Sequence, residues 1–126
     1  MKRLSPILGA LAGFYLVGLI PSNAASCCEE LREHLSSLSE SDFDQMSVAA
    51  DGVMDSQSVG KLSAWENPET GHSGTVQFIL RYRSQGNECR KLWYINKTSN
   101  DMRRTWEVNA CLDQGAWRLS QKPKRL

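Results

Sequence analysis

Residues 75–83 read TVQFILRYR, and the alternation in this stretch decides the fold predicted for the chain. The residues on its apolar side are Val76, Phe78, Leu80 and Tyr82. Because successive side chains of a strand point to opposite faces, this period of two predicts a half-buried β-strand.

Similar stretches on both sides of residues 75–83 predict further strands. These strands are expected at 61–65, 88–96, 102–112 and 116–119. Turn-forming residues separate them, namely Asn67-Pro68, Gly71, Gly74, Gly86, Ser99-Asn100 and Gly115. Since short connections join antiparallel neighbours, the pattern predicts a four- or five-stranded antiparallel meander.

Two cysteines lie in neighbouring predicted strands and fix a register. If Cys89 faces Cys111, Leu92 falls opposite Val108 and Tyr94 opposite Trp106. A disulfide there closes a loop of about 23 residues and contributes roughly 3 kcal/mol in the chain-entropy model. Centring the preceding turn on Gly86 is expected to bring Leu80 against Leu92 and Phe78 against Tyr94.

An acidic segment at 25–59 is predicted to form two short helices. Ser26 with Glu29 fits a capping box before the first, whose apolar positions are Leu31, Leu35 and Leu38. Ser39 with Asp42 starts the second, with an apolar stripe at Phe43, Met46, Ala50 and Val53 and an expected end near Asp51-Gly52. The predicted fold is α+β: two N-terminal helices packed on the meander of residues 60–120, in one domain with one disulfide.

The first 24 residues are typical of a secretory signal peptide. Lys2 and Arg3 precede an apolar run, and small residues follow it. Small residues before Cys27 make lipidation of that residue possible, and an uncleaved anchor is the other alternative. Cys27 and Cys28 are too close for an ordinary bridge, which leaves acylation, pairing with another chain or a reduced state.

The near-neutral net charge of +1 hides two segments of opposite sign. Residues 28–55 carry eight acids and one base, whereas residues 56–126 carry twelve bases and six acids. The overall balance disfavours a nucleic-acid partner. Any excess positive surface is expected on the sheet face opposite the helices, and the basic tail 121–126 is expected to be flexible.

The basic residues of the strand region are a candidate surface for an anionic ligand. They are Arg81, Arg83, Arg90, Lys91, Arg103 and Arg104. Trp93, Trp106 and Trp117 are interleaved with them, and cations with aromatics suit anionic groups or sugars. In the structural alternative, the aromatics fill the core and the bases solvate the outer face.

Nothing in the sequence predicts catalytic, metal or cofactor-binding residues. The run Gly71-His72-Ser73-Gly74 superficially resembles a nucleophile elbow, but it lacks the fifth-position glycine and leads into a strand instead of a helix. A turn is the preferred interpretation. The four cysteines lack the CxxC spacing of a metal or redox site.

An ordered set of short motifs runs through the chain. It comprises LSESD at 38–42, WENPETGHSGTV at 65–76, Glu88-Cys89-Arg90, Ala110-Cys111 and Gly115-Ala116-Trp117-Arg118. The set resembles the C-terminal domain of the rickettsial-type seventeen-kilodalton surface antigen family. The resemblance implies a bacterial envelope protein, often associated with the outer membrane, with no catalytic residues. The family's usual glycine-zipper stretch is absent, which favours a soluble periplasmic or secreted form.

The expected function is therefore that of an exported structural or binding module of the periplasm, outer membrane or cell surface, without enzymatic activity. The alternative is a soluble periplasmic accessory subunit or inhibitor that docks on another protein. The expected partner is an envelope protein or an anionic envelope component. Membrane association is possible through a lipid or an uncleaved signal.

Overall fold

A computed structural model describes residues 28–98 and 100–126. Its elements are a 3-10 helix (Glu29–Glu33), helix α1 (Glu40–Met54) and strands β1 (Leu62–Asn67), β2 (His72–Ser84), β3 (Asn87–Lys97), β4 (Arg103–Asp113), β5 (Ala116–Leu119) and β6 (Lys124–Arg125). Together they form one α-helix packed on an antiparallel sheet. The predicted signal peptide and Cys27 lie outside the described residues.

The sheet confirms the five expected strands and adds a sixth. Its order is β1-β2-β3-β4-β5, and β6 also pairs with β4. Strand β5 covers only residues 110–113 of β4, while β6 pairs with Trp106 and Glu107. The expectation of a flexible tail is wrong, because Pro123 is buried and the tail pairs with the remaining edge of β4.

The register predicted for β3 and β4 is confirmed. Cys89 lies opposite Cys111 and is bonded to it, while Leu92 lies opposite Val108 and Tyr94 opposite Trp106. Cys28 is also disulfide-bonded, so the reduced state does not apply to it.

The register predicted for β2 and β3 is wrong. Phe78 lies opposite Leu92 and Val76 opposite Tyr94, and a bulge falls between Phe78 and Leu80. The turn consists of Gln85 and Gly86 with φ of 52° and 82°, a two-residue hairpin turn centred half a residue before Gly86. Beyond the bulge, Leu80 faces solvent and is 45% exposed.

The second predicted helix is confirmed, and the first is wrong. Residues 29–33 form a single 3-10 stretch, which follows Cys28 in the left-handed conformation at φ 71°. Only residues 29–38 lie between Cys28 and the Ser39 cap that starts α1, and this segment is too short to form a cooperative helix. Nevertheless Leu31, Leu35 and Leu38 are buried, as amphipathic packing requires.

Helix α1 begins and packs as its sequence predicts, but it ends later. Ser39 and Asp42 form the reciprocal capping box. The helix continues past Gly52 to Met54, since Val53 and Met54 are buried against the sheet. None of the described helices is long and apolar enough to cross a bilayer.

The core lies between α1 and one face of the sheet, here called the inner face. Its largest fully buried side chains include Tyr94, Phe78, Leu92, Val76 and Val108. The opposite face is here called the outer face. On the inner face, Gly74 is required by its neighbours: an added Cβ would lie 2.5 Å from the Ile95 carbonyl oxygen and 2.7 Å from Nε1 of Trp65.

Candidate functional site

The first polar cluster lies at the N-terminus of α1 around the fully buried carboxylate of Asp42. Oδ1 accepts hydrogen bonds from Asn67 Nδ2 at 2.8 Å and Thr70 Oγ1 at 2.7 Å. Oδ2 accepts one from the Ser39 backbone N–H at 2.9 Å and lies 2.7 Å from His72 Nδ1. Both carboxylate oxygens are therefore fully occupied by the protein itself.

The turn between β1 and β2 explains how three side chains reach one carboxylate. The Asn67 carbonyl accepts from Gly71 N–H at 2.9 Å, and Gly71 adopts φ 78°, so the chain reverses within residues 67–71. The reversal places Asn67, Thr70 and His72 on the side facing α1. The WENPETGH motif thus supplies the side chains that bind the carboxylate of Asp42, the acidic residue of the capping box.

The ionisation of Asp42 reflects two opposing effects. Burial alone would raise the pKa of this carboxyl, because the charged form loses its hydration. The hydrogen bonds from Ser39, His72, Thr70 and Asn67 outweigh burial and hold the pKa of Asp42 well below its ordinary value. Asp42 is consequently a buried anion that fastens the start of α1 to the sheet.

The cluster lacks the geometry of a nucleophile elbow. A carboxylate next to a histidine is part of hydrolytic triads, but those sites also need a nucleophile beside the imidazole. Ser73 follows His72 within β2, and successive strand residues point to opposite faces. The expected turn at residues 71–74 is confirmed as far as Gly71, and the strand begins at His72. Within residues 28–98 and 100–126, no group of three or more His, Cys, Asp or Glu side chains is placed to hold a metal ion.

Arg90 forms a second cluster at the C-terminus of α1. Its Nη1 donates to the carbonyls of Met54 at 2.7 Å and Ser56 at 2.9 Å, and its guanidinium lies between the rings of Phe78 and Trp117, 4.5 and 5.4 Å from their centroids. The residue is only 3% exposed. Its assignment to a ligand-binding surface is therefore wrong, since the guanidinium is used to fasten the end of the helix. The sequence indicated this burial, because strand alternation places Arg90 on the same face as Leu92 and Tyr94.

The other five predicted basic residues do not form one surface. The pairing register places Arg81, Arg83 and Arg104 on the inner-face side and only Lys91 and Arg103 on the outer face. Arg81 donates to the Gln57 carbonyl at 2.9 Å, and Lys91 pairs with Glu107 at 3.7 Å. Arg103 is exposed, and among the described residues it forms neither an ion pair nor a side-chain hydrogen bond.

The outer face carries more bases than acids along the described strands, but the excess of bases is not confined to this face. Its bases are Lys91, Lys97, Arg103, Arg118 and Lys124, and its acids are Glu66, Glu107 and Asp113. On the inner-face side the strands carry Arg81, Arg83, Arg90, Arg104 and Arg125 against one acid, Glu88. Leu62 and Leu80 are also exposed on the outer face. No helix covers it among the described residues.

A groove of about 360 Å³ crosses the outer face from β1 to β4. Ala64, Thr75 and Ile95 line its floor, while Glu66, Ser73, Lys97 and Arg103 supply polar groups. Lys97 and Arg103 are direct cross-strand partners, and like charges in that position repel. Asp101 offsets the charge of Lys97, because its Oδ1 lies 3.2 Å from Lys97 Nζ. Arg103 has no such partner among the described residues and faces solvent. Sequence reasoning found Arg103 but missed Lys97 and the groove.

Comparison with protein families confirms the predicted resemblance. Residues 52–118, more than half of the chain, match the family described as 17 kDa outer membrane surface antigen. No curated protein and no solved structure matches the chain. Asn67, Thr70, His72 and Arg90 lie within the matched region, so it includes the sheet residues that hold both ends of α1. The chain belongs to the 17 kDa outer membrane surface antigen family.

Proposed function

We propose that this family member is an exported, non-catalytic binding module of the bacterial envelope. Family membership supports the association with the envelope. The outer-face groove is the observation that carries the binding role, and its occupant is an anionic group of another envelope component.

The use of the polar residues supports a module without catalysis. Asp42 and His72 form a carboxylate–histidine pair and Arg90 is a buried guanidinium, and each of the three is engaged in holding α1. A catalytic group has to be free to contact a substrate. These side chains instead complete hydrogen bonds within the protein.

The charges of the groove support an anionic occupant. Two cations, Lys97 and Arg103, stand opposite each other at one end, with the hydroxyl of Ser73 on the adjoining strand. Asp101 already pairs with Lys97, so an anion beside Arg103 would offset the charge that has no ion-pair partner and would accept charge-assisted hydrogen bonds. The guanidinium of Arg103 suits a planar carboxylate or a phosphate because it donates in a fork.

Vesicle co-sedimentation of the full-length protein tests this binding. The protein should sediment with vesicles that contain phosphatidylglycerol, and not with vesicles of phosphatidylcholine alone. Arg103→Gln should weaken binding about tenfold, a loss of one charge-assisted contact. Arg118→Gln is the matched control, since Arg118 lies on the same face but outside the groove, 4.0 Å from Asp113.

A second arm identifies the source of the anionic group. Binding to a soluble acidic polysaccharide, with the same loss in Arg103→Gln, would assign the groove to a glycan rather than a lipid headgroup. Equal weakening by Arg103→Gln and Arg118→Gln would contradict the groove and indicate attraction to overall charge. The partner would then be identified from the proteins that crosslink to this chain in bacterial envelopes.

The alternative function is that of a soluble periplasmic accessory subunit or inhibitor. The exposed leucines Leu62 and Leu80 on the outer face favour it, because exposed apolar side chains suit a protein partner. Fractionation and intact mass separate the two. A lipid-modified mass at Cys27 in the outer membrane supports the anchored module, whereas an unmodified soluble protein that co-purifies with one partner supports the accessory subunit.

A further inference from the structure

The two edges of the sheet differ in how much of their backbone is paired. At one edge, β5 and β6 together pair with residues 106–107 and 110–113 of β4, and Leu126 N–H donates to the Thr105 carbonyl at 2.9 Å. At the other edge, β1 pairs with β2 on one side only, and no described strand lies on its other side. An unpaired edge presents backbone donors and acceptors that can pair with another strand.

Strand β1 is suited to such pairing along its whole length. It pairs with β2 over six consecutive residues without a bulge, and it contains no proline. The Lys61 carbonyl accepts from Phe78 N–H at 2.9 Å, which sets the alternation of the ladder. Backbone groups of Ser63 and Trp65 therefore face β2, and those of Leu62, Ala64 and Glu66 face the open side.

We propose that β1 pairs with β1 of a second copy of this chain, in antiparallel orientation about a two-fold axis at Ala64. Strand alternation allows residues with open backbone groups to pair only with each other, so Ala64 meets Ala64 of the partner subunit and Leu62 meets Glu66 of the partner subunit. The small side chain of Ala64 permits close approach at the axis.

Charge favours the antiparallel orientation. Glu66 points to the outer face near the C-terminal end of β1. In the antiparallel pair it lies opposite Leu62 of the partner subunit, whereas a parallel copy in register would bring Glu66 beside Glu66 of the partner subunit, and like charges in that position repel. The 50% exposed side chain of Leu62 also gains an apolar contact with the methylene groups of Glu66 of the partner subunit.

Pairing through β1 would place two grooves side by side on one continuous outer face. Ala64 and Glu66 line the groove at β1, where the sheet ends. A paired copy extends the outer face beyond that point and sets a second groove on the same continuous sheet. Two grooves on one surface bind a repetitive or membrane-bound ligand by avidity. The dimer itself does not depend on the groove having a ligand.

Analytical ultracentrifugation of the ligand-free, full-length protein over a hundredfold concentration range tests the proposal. The native protein should convert from monomer to dimer. Ala64→Pro removes a backbone N–H that faces the open side and no ladder bond to β2, and Leu62→Lys adds a charge beside the axis. Each variant should weaken the dimer at least tenfold.

Leu80→Lys is the matched control, because Leu80 is 45% exposed on the same outer face but belongs to the interior strand β2. It should dimerise as the native protein does. Unchanged near-ultraviolet circular dichroism shows that each variant is folded. A monomer at every concentration, or a dimer that both Ala64→Pro and Leu62→Lys leave intact, would overturn the proposal. Capture of a different protein that is lost in these two variants and kept in Leu80→Lys, without a dimer of the native protein, would also overturn it and assign the edge to that partner.

Discussion

The two ends of α1 are fastened to the sheet by opposite charges. At the N-terminus the carboxylate of Asp42 accepts hydrogen bonds from the β1–β2 turn, and at the C-terminus the guanidinium of Arg90 donates to helix carbonyls. Each charge also complements the helix dipole, which favours anions at the first turn and cations at the last. The same helix therefore needs two different kinds of partner from the sheet.

The two attachments differ in what surrounds the charge. Asp42 relies on hydrogen bonds, with Asn67, Thr70, His72 and the Ser39 N–H occupying both oxygens. Arg90 relies partly on packing, because Phe78 and Trp117 flank its guanidinium. An attachment made of hydrogen bonds fails when its acceptor is removed, since several donors are then buried without partners. An attachment made partly of packing keeps some of its strength.

The largest effect is expected from Asp42→Ala. The substitution leaves Asn67, Thr70, His72 and the Ser39 N–H without their acceptor, and we expect a loss of about 3–5 kcal/mol in the free energy of unfolding. Urea denaturation measures it. Asp44→Ala is the control on the same helix, because Asp44 is exposed, and it should change stability by less than about 0.5 kcal/mol. Equal effects of the two variants would contradict the role of Asp42.

Arg90→Met should cost less, about 2–3 kcal/mol. Methionine retains contact with Phe78 and Trp117 while the helix carbonyls lose their donor. Urea denaturation again gives the value, and Arg83→Met, at an exposed position on β2, should be nearly neutral. A loss larger than that of Asp42→Ala would reverse the ranking of the two attachments.

Acid should weaken the N-terminal attachment. The pKa of Asp42 in the folded protein lies below its ordinary value of 3.8, so its contribution is fully present above that pH and declines as pH falls toward the folded pKa. Stability measured from pH 6 to pH 2 should therefore fall more steeply in the native protein than in Asp42→Asn. If stability fell with pH at the same rate in both proteins, the ionised form of Asp42 would not stabilise the fold.

The smallest effect is expected from Ser39→Ala. The Ser39 hydroxyl accepts from Asp42 N–H at 3.2 Å, and loss of an N-cap side chain costs about 1 kcal/mol. The Ser39 backbone N–H still donates to Asp42 in this variant. Thermal unfolding should show a decrease of a few degrees, and a loss approaching that of Asp42→Ala would mean that the cap and the carboxylate act as one unit.

Sequence reasoning succeeded where two independent patterns agreed. The cysteines and the apolar alternation gave the same pairing for β3 and β4, and that register is confirmed. The β2–β3 register failed because Phe78, Ile79 and Leu80 are all apolar, so alternation does not show which residue is the extra one. The two-residue strand β6 is too short to leave any periodic signal.

The candidate site was predicted less completely than the fold. The capping box identified the place of Asp42 in the helix, but its burial depends on a turn more than twenty residues away. Three side chains able to donate, Asn67, Thr70 and His72, lie together in that turn and could have indicated a missing acceptor. Arg103 was predicted from composition, whereas its position opposite Lys97 follows from the register.

The bulge at Ile79 also determines where β2 tolerates a change in length. Phe78 pairs with Leu92 and Leu80 with Lys91, so Ile79 has no partner of its own in the ladder. Deleting Ile79 would leave every other residue of β2 on its present face, whereas deleting Gln77 would shift one side of the strand past its partners. Relatives shorter by one residue at this point would therefore keep the same hairpin, so position 79 is where β2 can lose one residue without changing its register.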